Sequence, residues 1–169
     1  MDANALRAMQ APYKDKYKSD PNAAVITLKA HGTLDESKIA CKVETGRALA
    51  VAGLHPATGG SGAELCSGDM LLEALVACAG VTLKAVATAL DIPLKAGTVK
   101  AEGDLDFRGT LGVDKEAPVG FREIRLSFDL DTDAPQDKID SLIKLTERYC
   151  VIFQTLNKPP KLGLTVNRV

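Results

Sequence analysis

The apolar positions of this chain follow two periods, and the longest apolar run lies near its middle. From Asp69 to Leu90, DMLLEALVACAGVTLKAVATAL, only Asp69, Glu73, Thr82, Lys84 and Thr88 are polar. Helix formers fill most of the rest, and Asp69 stands where an N-cap belongs. A helix apolar almost all round is a buried one. The spacing therefore predicts the central helix of a soluble domain. Its length also suits a membrane span, but three charged residues and many small side chains argue against one.

Strand patterns flank this helix. Ala24 to Ala30 is rich in β-branched residues, and Lys38 to Glu44 alternates, with Ile39, Cys41 and Val43 on one side. His31-Gly32 through Glu36 is the predicted hairpin connection. After the helix, Thr98 to Phe107 and Phe121 to Leu130 alternate almost without fault, joined by the loop 109–120. Two long strands with one wet face predict an antiparallel sheet. A second helix is predicted from about Pro135 to Tyr149, with the stripe Ile139, Leu142, Ile143, Thr146 and Tyr149 that Cys150 continues. Val151 to Leu156 adds a turn or two, Pro159-Pro160 stops it, and Leu162, Leu164 and Val166 predict a short terminal strand. At the other end, residues 1 to 20 read as a polar helix with the apolar edge Ala3, Leu6, Met9 and Tyr13, which Pro12 should kink or divide.

Composition narrows the picture. The chain of 169 residues suits one domain, 1–169, with residues 1–20 as a helical extension. Apolar residues at 46% and charged residues at 25% are ordinary for a globular protein. A formal net charge of −1 gives no reason to expect nucleic acid or an anionic membrane as partner. No basic segment precedes an apolar run at the N-terminus, so the expected setting is cytoplasmic. Four cysteines in such a setting read as free or reactive thiols or metal ligands rather than a disulfide framework.

Two of the cysteines stand out. At roughly 100° per residue, Cys78 shares its helix face with Leu71, Ala74, Leu75, Val81, Thr82 and Ala85. Cys150 lies on the apolar stripe of the second helix. Both faces want the same core, so the thiols are candidates to meet. Such a pair is either small-residue packing or a redox couple, in which one thiolate attacks and the other thiol resolves the product. Cys41 reads as strand packing. The Gly-rich loop 54–68, LHPATGGSGAELCSG, holds His55 and Cys66. It lacks the spacing of a phosphate-binding loop. No CxxC pair occurs and only two histidines are present, so no metal site is expected.

The blocks GDMLLEALVACAGVTL and ERYCVIFQTL, in this order and with two alternating strands between them, resemble the OsmC/Ohr family of hydroperoxide-reducing proteins. The likeness runs from about residue 24 to the end. LRAMQAPYKDKY and GGSG resemble the OsmC-like branch. The resemblance implies an α+β fold with antiparallel sheets wrapped around two central helices, and an intertwined homodimer with its sites at the interface. It implies that Cys78 is the peroxidatic thiolate and Cys150 the resolving thiol. The substrate is then a small organic hydroperoxide, the reductant an external dithiol, and no cofactor takes part.

The chain also departs from the family pattern. The family's glutamate at the start of the central helix falls in SGDM, where Asp69 is the nearest acid and the implied supporting residue. The loop HGTLDES lacks the family's activating arginine; Lys38 and Arg47 are substitutes that do not match by position. Val151 stands where a proline often follows the second cysteine. These departures fit a second reading, a stress-associated binding dimer that kept the fold without efficient turnover.

Overall fold

The computed structural model describes residues 3–34, 41–43, 53–63, 65–166 and 168, with the backbone alone described for 3–7, 28–34 and 41–43. Helix α1 spans Ala3–Ser19, strand β1 Val25–Leu34 and β2 Cys41–Val43. The long helix α2 spans Ser67–Ala89, followed by β3 at Ala96–Asp106 and a single turn, α3, at Phe107–Thr110. Strand β4 at Phe121–Asp131 leads to α4, Gln136–Tyr149, and α5, Val151–Asn157.

The strands form one antiparallel sheet in the order β2-β1-β3-β4. Alternation in β3 puts Val99, Ala101, Gly103 and Leu105 on the buried face. Gly103 is required there, because a β-carbon would come within 2.5 Å of the Phe121 ring on β4. The opposite face is wet: Arg125 holds Asp104 through two bonds of 2.6 and 3.0 Å, and Lys100 meets Asp129 at 2.6 Å. Helix α2 lies against the buried face and packs on β1, β3 and α4. Leu72, Leu75, Val76 and Leu83 from α2 join Val99, Ala101 and Leu142 in the core.

Several boundaries differ from the sequence expectation, each for a physical reason. Helix α2 begins two residues early, so Cys66 is its N-cap and Asp69 sits inside the first turn, where a carboxylate still favours the helix dipole. Pro12 lies inside α1 without dividing it, removing a donor but leaving the flanking turns. Strand β1 runs through His31-Gly32, because Gly32 pairs with Val99 and Thr33 with Thr98 on β3. The predicted strand Lys38–Glu44 is described only at Cys41–Val43; Lys38 and Arg47 lie outside the described residues. Leu162, Leu164 and Val166 form no strand and are 87, 93 and 77% exposed. Alternation makes an apolar row, but a strand needs a neighbour to bond with. Helix α2 is not buried all round in the single chain either: Val81 on its outer side is 39% exposed and Cys78 half-buried.

Candidate active site

The site is built where α4 ends. Cys150 leaves the helix with φ −70° and ψ 106°, yet its N–H still donates to the Thr146 carbonyl at 2.9 Å. That extended residue also opens α5, since its Sγ accepts the N–H of Phe153 at 3.5 Å. One residue thus caps two helices and is held in a single orientation, 1% exposed. Cys78 comes to the same place from the middle of α2, which packs along both α4 and α5. The two thiols are free and lie close enough to influence each other.

Burial is the main reason the Cys150 thiol is pushed up to about 11; the Phe153 N–H pulls it down in part, and contact with Cys78 raises it further. Cys150 is therefore a neutral thiol at pH 7, suited to the resolving position. Arg148, close in sequence, turns elsewhere: its guanidinium lies over the Tyr149 ring, 5.5 Å from the centroid.

Two cavities lie nearby, and Cys150 lines the smaller of them. The smaller, about 200 Å³, is lined by Cys150 and Thr146 with Leu126, Phe128, Ile143 and Phe153 among its walls. The larger, about 510 Å³ and more open, runs along Leu71 and Leu75, on the Cys78 face of α2, to Arg122. Leu126 and Phe153 line both.

Asp69 belongs to a different locus. It precedes Cys78 by nine residues, which is half a revolution around α2 and about 13.5 Å along it. The structure therefore brings Cys78 and Cys150 together and leaves Asp69 on the other side of the helix, near His55. Burial raises the Asp69 carboxyl and His55 opposes that rise; burial raises Glu73 as well, with Asp69 adding to it. Burial lowers His55, against the pull of Asp69. His55 Nδ1 accepts the Ala57 N–H at 3.0 Å, and its ring stacks on Phe107 at 4.9 Å between centroids. Among the described residues no cluster of His, Cys, Asp or Glu could hold a metal ion. Cys66 stays at the α2 N-cap, half-buried, and its side chain makes no capping bond. Sequence reasoning missed one member of the site, Thr146. Its placement one turn before Cys150 on the same stripe was the available signal.

A helix-borne thiol meeting a second thiol at a corner between two helices, over an antiparallel sheet, defines the class: an α+β protein with a paired half-buried and buried cysteine. The OsmC-like protein family matches residues 60–165, and the chain belongs to that family. Among solved structures it is similar to an OsmC-like hydroperoxide resistance protein from Jannaschia sp. CCS1, at 16% identity and a TM-score of 0.61, over 86% of this chain and 97% of the other. It is also similar to an OsmC-like protein from Mycoplasma pneumoniae, at 17% identity and a TM-score of 0.55, over 80% of this chain and 86% of the other. No curated protein matches the sequence. At these identities the likeness to the two structures is one of fold, and it bears out the expected α+β architecture with an antiparallel sheet.

Proposed function

We propose that this chain is a thiol-dependent reductase of organic hydroperoxides, acting through Cys78 and Cys150. The observation that carries the reading is the contact between two free thiols beside an apolar cavity. The name of the Jannaschia neighbour, a hydroperoxide resistance protein, points the same way. In this reading the Cys78 thiolate attacks the outer oxygen of ROOH. A sulfur–oxygen bond forms, the O–O bond breaks, and the alkoxide takes a proton and leaves as an alcohol. The peroxide gains two electrons and Cys78 becomes a sulfenic acid. Cys150 then attacks that sulfur, forming the disulfide and releasing the oxygen as water. An external dithiol reduces the disulfide and becomes oxidised in turn. The working form is a cytoplasmic homodimer, in which a second copy covers the outer side of α2 and the apolar row Leu162, Leu164 and Val166.

The second reading, a binding dimer with weak turnover, is favoured by two placements: Asp69 across the helix, and Arg148 over Tyr149 rather than at a thiol. Turnover of cumene hydroperoxide with dithiothreitol separates the two. The reductase reading expects steady consumption by the wild type and by Cys66→Ser, none by Cys78→Ser, and loss of disulfide formation in Cys150→Ser. Consumption that survives Cys78→Ser, or is absent from the wild type, would leave the binder.

A further inference from the structure

Thr146 departs from a habit that three other helical hydroxyls keep. Ser141, Thr88 and Thr155 each donate to the carbonyl four residues back, at 2.9, 2.8 and 2.7 Å. That bond is the usual resting place for such a group within a helix. The Thr146 Oγ1 has no partner, although the residue is 1% exposed. A buried hydroxyl left unbonded costs stability, and in a native structure it needs an explanation.

Its position supplies one. Thr146 stands one helical turn before Cys150, and both line the cavity of about 200 Å³ whose other walls include Leu126, Phe128, Ile143 and Phe153. Cys150 in turn lies beside Cys78. The cavity is thus apolar, adjoins the thiol pair, and has beside it one neutral polar group with nothing to bond. Glu147 also lines it, so an anionic ligand would meet a like charge. A hydroxyl donates and accepts, which suits a neutral –OOH group and equally the –OH of the alcohol it becomes. The volume lies below the roughly 300–1,000 Å³ of pockets for drug-sized ligands.

We propose that Thr146 is a substrate-binding residue whose hydroxyl hydrogen-bonds the oxygen of a small, uncharged, apolar hydroperoxide seated in this cavity. The assignment rests on the reductase reading. Thr146 makes and breaks no covalent bond; it orients the peroxide beside the thiols.

The test uses Thr146→Val, nearly the same shape without the hydroxyl, and Thr146→Ser, which restores it. Three quantities are measured: the melting temperature, the rate of thiol loss with cumene hydroperoxide, and the affinity of 2-phenyl-2-propanol for the Cys78→Ser protein by NMR titration. The Val variant is expected to be at least as stable as the wild type, to oxidise about tenfold more slowly at low peroxide, and to bind the alcohol about tenfold more weakly. The Ser variant should recover most of both losses. A Val variant markedly less stable, or one that oxidises and binds alcohol like the wild type, overturns the proposal. A wild type that binds the alcohol through Thr146 but ignores the peroxide keeps this site and removes the reductase reading. A wild type that is oxidised as fast as its Val variant does the reverse.

Discussion

Closure of the Cys78–Cys150 disulfide should accelerate steeply between pH 8 and pH 10, a range in which an ordinary thiol completes its titration. Burial holds Cys150 at about 11, and only the thiolate attacks the oxidised sulfur. With that value the thiolate fraction rises from about 0.1% at pH 8 to about 9% at pH 10, roughly ninetyfold. An unperturbed thiol near 8.5 would gain only about fourfold over the same range. The largest cause, burial, persists after Cys78 is oxidised, whereas the contribution of the Cys78 thiol does not, so the measured gain should fall somewhat short of the full factor. The assay is rapid mixing with one equivalent of hydroperoxide, followed at each pH by dimedone trapping of the Cys78 sulfenic acid and by mass analysis of the disulfide. A closure rate that levels off by pH 9 would refute the reasoning. It would mean that Cys150 is not held protonated by its surroundings.

Three further outcomes follow from the packing and the charges. Leu142→Ala removes a fully buried side chain where α4 meets the core; it should cost about 2–5 kcal/mol in urea unfolding, and a loss well under that would mean α4 is poorly packed. Asp69→Asn should leave the rate of Cys78 oxidation within about twofold of wild type, because half a revolution around the helix and about 13.5 Å along it separate the two; a large loss would show that the carboxylate reaches a thiol by a route outside the single chain. Burial keeps His55 below its ordinary value, so its contribution to stability is complete above about pH 6.5 and is lost as pH falls through the depressed value. Melting temperatures from pH 7 to pH 5 should therefore drop more for the wild type than for His55→Asn, which keeps an acceptor for the Ala57 N–H but does not titrate; equal slopes would contradict this.

The parts of the fold that could be read directly were those whose pattern is enforced by one buried and one wet face. Thr98–Phe107 and Phe121–Leu130 became β3 and β4 almost residue for residue, because Val99, Ala101 and Leu105 must face α2 while Lys100, Asp104 and Arg125 face water. Helix α4 was legible for the same reason. What escaped depended on partners remote in sequence. The extension of β1 through His31-Gly32 is held by β3, a pairing no local pattern encodes. Leu162, Leu164 and Val166 alternate like a strand but have no strand beside them in the described chain. For the site, helical periodicity put Cys78 and Cys150 on faces that meet. Periodicity also places Asp69 opposite Cys78, but family likeness drew it into the site. The unbonded Thr146 hydroxyl was invisible, since nothing in a sequence says whether a helical threonine bonds its own backbone.

The account stands on one chemical event, and peptide mapping under non-reducing conditions reads it directly. After one equivalent of cumene hydroperoxide, free thiols are alkylated and the digest is examined for cross-linked peptides. The account predicts a single dominant species joining the Cys78 and Cys150 peptides, with Cys41 and Cys66 alkylated. Alkylated Cys78 and Cys150 in the treated protein, or a bridge made instead through Cys66, would contradict it.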